Sequence, residues 1–173
     1  SKLDSYRLFH SECVSECAAV LAEKYGADPQ KARLAGLLHD VTKNSSAAEH
    51  LLYCDNLTAI EAANTKVWHQ ISGAAFLKNQ GITDDEEILG AVRWHTTGRA
   101  DMTLLEKIVY VADFISADRV YDDVEIVREL AEKSLDETML YTQRYSINEL
   151  LQKGACIHPD SVACYNELLL TEG

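Results

Sequence analysis

The stretch AGLLHDVTK, Ala35 to Lys43, places His39 and Asp40 side by side at the end of an apolar segment with helical periodicity. The segment begins at Asp28-Pro29, an N-cap residue followed by a first-turn proline. Consecutive side chains leave a helix about 100° apart, so the imidazole can bind one cation while the carboxylate bridges to another. The stretch therefore predicts a helix whose end carries metal-binding groups.

Helical periodicity continues from this stretch over almost the whole chain, and strand-like alternation is nearly absent. Helix starts and stops are marked by capping-box spacings and by glycines, at Thr58…Glu61, Thr83…Glu86, Thr103…Glu106, Gly26, Gly81 and Gly154. The predicted helices cover residues 4–25, 29–40, 46–54, 59–64, 67–80, 84–96, 103–117, 122–133, 135–153 and 159–170. With no repeat and no linker, the sequence predicts an all-α helical bundle with one domain over residues 1–173.

The composition of the 173 residues excludes several classes of protein. There are 28 acidic against 16 basic residues, a net charge of −12, which argues against binding to nucleic acid or to an anionic membrane surface. No apolar stretch approaches the roughly 18 residues of a membrane span, and no secretion signal opens the chain, so we expect a cytoplasmic protein. The five cysteines show no CxxC spacing, which predicts reduced thiols.

Several side chains of metal-binding type lie on or beside apolar helical stripes: His10, His39, Asp40, His69, His95 and Asp113. A single inward histidine is usually a hydrogen-bonded core residue. Several such residues together indicate a metal site instead. A carboxylate buried without a partner costs roughly several kcal/mol, and histidines with a cation are suitable partners for it. His50 and His158 lack this support and are predicted to be surface or capping residues.

Imidazole and carboxylate ligands together suit iron, manganese, cobalt or zinc, in one or two ions. No thiolate belongs to the set, so a structural zinc site is not expected. A divalent metal lowers the pKa of its bound water toward about 7, and a second ion can clamp the attacking and leaving oxygens. The predicted chemistry is therefore metal-assisted hydrolysis.

Four stretches extend this pattern into a family resemblance: AGLLHDVTK, WHQISGA (68–74), AVRWHTTGR (91–99) and MTLLEKIVYVADFISADR (102–119). The order His, His-Asp, His, His, Asp resembles that of HD-domain metal-dependent phosphohydrolases. The four stretches are similar to the YqeK family of bacterial HD proteins over nearly the whole chain. The resemblance implies an HD-domain fold, a divalent transition metal with iron as the expected ion, and symmetrical hydrolysis of diadenosine tetraphosphate to two ADP.

The resemblance also assigns roles by position. It implies metal ligation by His10, His39, Asp40 and Asp113, with His69 and His95 holding a second metal or a phosphate. It implies catalytic roles for Asp40, His69 and His95, a metal-bound hydroxide being held against Asp40. Substrate contacts are expected from His69 and His95 and from Lys43, Thr97, Gly98, Arg99 and Arg119. The expected partners are the dinucleotide substrate and the product ADP. No nucleic acid or membrane is expected to bind, and the sequence leaves open whether the protein forms a homodimer.

Other functions remain compatible with such a site. Within the same class, the substrate could be a guanosine polyphosphate or a nucleoside monophosphate. Outside it, the alternatives are an iron oxygenase and a nucleotide-sensing module without turnover.

At single positions the simpler interpretation is kept: Arg93 is predicted to be a solvated surface charge, and Trp68 and Trp94 to be core wedges.

Overall fold

The computed structural model describes residues 3–171, and these form helices joined by turns, without a β-strand. The helices are α1 (Ser5–Tyr25), α2 (Pro29–Leu38), α3 (Ala47–Leu51), α4 (Ala59–Ala63), α5 (Trp68–Asn79), α6 (Glu86–Trp94), α7 (Leu104–Ile115), α8 (Val124–Ala131), α9 (Leu135–Gln152) and α10 (Pro159–Thr171). A short 3₁₀ helix, Thr65–Val67, precedes α5. The all-α prediction is confirmed, and each predicted helix is found with its ends within three residues.

The helix starts show where local sequence decides the structure. Capping boxes are present at Thr58 and Thr103, as predicted. The predicted box starting at Thr83 is wrong: Asp85 caps α6, and the Thr83 hydroxyl instead accepts the Asp85 N–H. The Asp85 carboxylate accepts two first-turn N–H groups, so it is the better cap. A box starting at Ser46 was not predicted.

Helix α7 lies at the centre of the fold. It packs against α1, α2, α6, α8 and α9, and its buried residues include Ile108, Val109, Tyr110 and Val111 in consecutive positions. A helix that is apolar around its whole circumference is stable only inside the molecule. Asp113, two residues before the end of α7, is thereby brought to the place where α1 and α2 meet this central helix.

The contact between α1 and α2 depends on Gly36. A Cβ atom at this position would lie 2.9 Å from the Cα atom of Ser15, so the two backbones can approach this closely only over a glycine. The close approach sets the rings of His10 and His39 with their centroids 5.2 Å apart. Backbone packing therefore positions the first two histidines.

All five cysteines lie within the described residues and are free thiols, as predicted. Burial raises the pKa of Cys17 to about 12, so this thiol is unreactive near neutral pH. Among residues 3–171, no helix combines the length and the apolar character that a membrane crossing requires.

Candidate metal centre

Four histidine rings form a continuous row in the interior. His10 comes from α1, His39 follows α2, His69 lies in the first turn of α5 and His95 follows α6. Successive ring centroids are 5.2, 4.9 and 5.0 Å apart along this row, and each ring is almost fully buried. The structure thus brings together side chains that are far apart in sequence.

Backbone carbonyl groups orient two of these rings. The Nδ1 atom of His39 donates to the carbonyl of Gly36 at 2.7 Å, and that of His95 donates to the carbonyl of Val92 at 2.8 Å. Each bond leaves the Nε2 lone pair available to the centre of the cluster. A histidine held in this way is a typical metal ligand, because its tautomer and its direction are both fixed.

Two carboxylates complete the row. Asp40 Oδ1 lies 3.3 Å from His69 Nε2 and 3.5 Å from His95 Nε2. Asp113 Oδ1 lies 2.9 Å from His10 Nε2 and 3.8 Å from His39 Nε2. The possible ligand atoms form two groups, each within 4.8 Å, and both groups contain His39: His10, His39 and Asp113, and His39, Asp40 and His95.

Buried polar atoms at the centre of the cluster lack partners. Among the described residues, His39 Nε2 and Asp40 Oδ1 are buried without a hydrogen bond. A buried polar atom in this state costs roughly 1–3 kcal/mol. A cation bonded to both atoms would remove this penalty.

The protonation states suit a metal. Burial lowers the pKa of His39 to about 4, so its imidazole is neutral near pH 7. Burial alone would raise the pKa of Asp40, but His39, His95 and Lys43 hold it below its ordinary value. Neutral imidazole and ionised carboxylate are the forms that bind metal ions. His39 and Asp40 are therefore in the states that a divalent transition metal binds.

Asp118 is a member of the site that the sequence did not reveal. Its Oδ2 atom lies 2.8 Å from His10 Nδ1, and its Oδ1 atom accepts from the buried hydroxyl of Ser116 at 2.7 Å. A carboxylate on the second nitrogen of a ligand histidine fixes the ring and raises its basicity. The only signal in the sequence was its place five residues after Asp113, which does not put it on the same helical face.

Replacing Asp118 by asparagine is expected to weaken metal binding by about 10- to 100-fold, the usual effect of losing such a partner. The affinity for Mn²⁺ can be measured by competition with a chelating dye. Asp122→Asn, an exposed change in the same loop, serves as the matched control. Equal Mn²⁺ affinity for the wild type and Asp118→Asn would contradict the role of this carboxylate.

Three basic side chains surround the cluster. Lys43 Nζ lies 3.0 Å from His69 Nε2 and 3.5 Å from Asp40 Oδ1. Arg119 bonds to the Asp113 carboxylate and donates to the Asp113 carbonyl at 2.6 Å. Arg7 Nη1 lies 3.3 Å from Asp40 Oδ2 and was not predicted, although it precedes His10 by one helical turn.

Arg99 pairs with residues outside the cluster, and its contact with phosphate stays a prediction. Its guanidinium bonds to the Glu106 carboxylate at 3.0 Å and to the Ala100 carbonyl at 3.0 Å. Glu106 lies in the first turn of α7, seven residues or about 10 Å along the helix from Asp113. The pairing fastens the segment after His95 to the start of the central helix.

Thr97 and Gly98 belong to the same segment. The Thr97 carbonyl accepts bonds from Gln143 at 2.7 Å and from Ser161 at 2.9 Å. Gly98 has a φ of 64°, and a Cβ atom there would lie 2.7 Å from Gln143 Nε2. Both residues thus anchor the segment to α9 and α10, and their contact with substrate stays a prediction.

His50 and His158 were predicted to be surface or capping residues, and both side chains are buried, so a surface position is wrong for both. The His50 ring lies 2.7 Å from the Ser72 hydroxyl, a partner in α5 that the sequence does not indicate. His158 does act as a cap, because its Nδ1 atom accepts the N–H of Asp160 at 3.2 Å. Its other nitrogen faces Glu61 at 3.5 Å.

Arg93 is not the solvated charge that the sequence predicted. Its guanidinium lies 3.9 Å from the centre of the Trp94 ring and 3.2 Å from a Glu61 oxygen. Cation–π stacking and the ion pair together hold it partly buried. Trp94 packs against the main core and Trp68 lies in a smaller apolar cluster, in agreement with the prediction of core wedges.

Comparisons with known proteins agree with this geometry. The HD domain family matches residues 7–118, a range that contains every member of the cluster. Two curated relatives are symmetrical bis(5'-nucleosyl)-tetraphosphatases, from Bacillus subtilis at 35% identity and Halalkalibacterium halodurans at 38% identity. The alignments cover 97% and 98% of this chain and 92% of each relative.

A solved structure has the same fold. It is the crystal structure of a predicted HD superfamily hydrolase involved in NAD metabolism from Clostridium acetobutylicum. The two chains superpose with a TM-score of 0.95 at 33% identity, over 98% of this chain and 92% of the other. The similarity therefore extends over nearly the whole chain.

Proposed function

This chain belongs to the HD domain family and, within it, to the symmetrical bis(5'-nucleosyl)-tetraphosphatases of the YqeK family, and on that premise we propose that it hydrolyses diadenosine tetraphosphate to two ADP. The observation that carries the proposal is the pair of ligand groups that share His39. Hydrolysis of a phosphoanhydride needs an activated water and positive charge near the phosphoryl oxygens. The cluster can supply both.

We propose that the two groups hold one or two divalent ions through His10, His39, Asp40, His95 and Asp113, with His69 beside the second group. A bound ion of this kind lowers the pKa of a coordinated water toward about 7 and so supplies the hydroxide for hydrolysis. Iron is the proposed ion, supported by a donor set of imidazoles and carboxylates without a thiolate. Elemental analysis after anaerobic purification identifies it.

Asp40 is proposed to orient the attacking water. Its Oδ1 atom faces His69 and His95 and has no hydrogen bond of its own, so it is free to accept a hydrogen bond from that water. Its lowered pKa keeps the carboxylate ionised, the form that accepts hydrogen bonds and binds cations. The adjacent His69 and His95 are placed to face the phosphoryl oxygens.

Lys43 and Arg119 are proposed to bind the phosphates. The chain carries a net charge of −12, which repels a polyphosphate at long range. Close to the cluster the balance is different, because Lys43, Arg119 and Arg7 lie against the two carboxylates. Charge-assisted bonds from such groups to phosphate oxygens supply the local attraction.

Free thiols on all five cysteines support action in the reducing cytoplasm.

Product analysis in oxygen-18 water tests this function. Attack on the second phosphorus from one adenosine gives only ADP, with one label on the terminal phosphate of half of the molecules. The reaction is run on the metal-loaded enzyme and separated by chromatography, with Asp40→Asn as the inactive reference. AMP together with ATP, label in an α-phosphate, or no turnover with iron, manganese or cobalt would overturn the proposal.

A further inference from the structure

Two clefts meet beside the metal centre and share a wall made by Asp113, Phe114 and Tyr145. The first, the tyrosine cleft, has a volume of about 480 Å³ and is also lined by Tyr6, Arg119 and Tyr121. The second, the α9 cleft, has a volume of about 250 Å³ and is also lined by His95, Thr96, Lys66, Ser146, Ile147 and Leu150. The candidate metal centre therefore has two recesses beside it.

Both clefts border Asp113 of the first ligand group, and the α9 cleft also borders His95 of the second group. The tyrosine cleft is lined by Asp113 and by Arg119, whose guanidinium lies 3.3 Å from His10 Nε2. It therefore borders the group of His10, His39 and Asp113. The α9 cleft is lined by His95, which belongs to the group that contains Asp40. The wall between the two clefts is thus the one that carries Asp113.

The lining of each cleft suits a nucleoside. In the tyrosine cleft, Tyr6 and Tyr145 are 57% and 45% exposed, and the rings of Tyr121 and Tyr145 are 6.3 Å apart. Exposed aromatic faces are stacking platforms for nucleobases. The α9 cleft combines apolar side chains such as Leu150 with polar ones such as Ser146 and Lys66, the usual mixture in a small-molecule site.

We propose that each cleft holds one nucleoside end of a dinucleoside polyphosphate, so that the middle of the phosphate chain lies over the ligand groups. This inference rests on the proposed function. It adds that the two clefts together select substrates with a nucleoside at each end. A substrate with two like ends, seated in this way, presents its central anhydride to the centre. A nucleoside polyphosphate with one nucleoside would leave a cleft empty and bind more weakly.

The stoichiometry of ADP binding tests the two clefts directly. Calorimetric titration of the Mn²⁺-loaded enzyme with ADP is expected to give two ADP per chain. Ser146→Trp, which fills the α9 cleft, is expected to give one. Tyr6→Ala should weaken one of the two sites by about 10-fold, as expected for the loss of a stacked ring. Leu170→Trp, an exposed change on α10, is the control and should keep two.

Kinetics separate a failure of this inference from a failure of the proposed function. Ser146→Trp should raise the KM for diadenosine tetraphosphate by about 10-fold and leave the KM for adenosine 5'-tetraphosphate unchanged. If the tryptophan variant fails to fold, Lys66→Ala, an exposed change on the same cleft, replaces it. This variant should also raise the KM for diadenosine tetraphosphate, and Lys133→Ala is its control.

Two results would overturn the inference while the hydrolase stands: one ADP per wild-type chain, or an equal KM for both substrates in the wild type. If the loaded enzyme hydrolyses neither substrate, the proposed function fails, and the ADP stoichiometry still decides whether both clefts bind nucleotide.

Discussion

Replacing Asp40 by asparagine is expected to lower kcat for diadenosine tetraphosphate by about 1000-fold or more, since charge stabilisation by a metal site is worth several kcal/mol. The amide has the shape of the carboxylate but not its charge, so it is a weaker ligand for a cation and a weaker hydrogen-bond acceptor for the water. Asp40 lies within 3.3 to 3.6 Å of the Nε2 atoms of three histidines, so the loss reaches both the metal and the reacting water. Bound metal, measured by elemental analysis, should fall with the rate.

Asp84→Asn is the matched control, because it makes the same chemical change at an exposed position. It should keep the metal content and the rate of the wild type. If Asp40→Asn kept a normal metal content and lost only the rate, Asp40 would act on water alone and not as a ligand. If it kept both, Asp40 would have neither role.

The helices could be predicted from the sequence because their signals are local. Apolar spacing and a capping residue lie within one or two turns of each other, as at Asp28 and at Thr103. The wrong capping residue at Thr83 also comes from relying on local signals, since Thr83 and Asp85 are both suitable caps and stand two positions apart. Local signals rank such alternatives poorly, but they locate the helix itself.

The inward position of side chains in the cluster could also be predicted, for a different reason. His10 and Asp113 stand on apolar stripes, so helical periodicity alone turns them inward. The family resemblance then selects them from the other polar residues. Their partners could not be found in this way: His10 and Asp118 are 108 positions apart, and only the packing of α1 against α7 brings them together.

The errors at Arg93 and His50 and the unpredicted ion pair of Arg99 share one cause. Each side chain finds its partner on another element: Glu61 in α4, Ser72 in α5 and Glu106 in α7. The sequence shows a charged or polar side chain and gives no sign of this partner, so a solvated position or a substrate contact is the natural interpretation. Proximity in sequence to a histidine of the cluster therefore did not indicate the ion pair of Arg99 with Glu106, whereas it did place Lys43 beside the cluster.

Removing the metal is expected to lower the thermal midpoint of unfolding by roughly 10 °C. A ligand at 1000 times its Kd stabilises the native state by about 4 kcal/mol, and each kcal/mol shifts the midpoint of a domain of this size by about 2–4 °C. The structure gives the physical reason, since without a cation the buried His39 Nε2 and Asp40 Oδ1 atoms have no hydrogen-bonding partner. Thermal scans of the loaded enzyme, of the enzyme after chelation and of the enzyme after Mn²⁺ is restored measure the effect. Asp40→Asn should show a much smaller difference between the first two scans, and an identical midpoint for loaded and chelated wild type would contradict a site formed by these buried atoms.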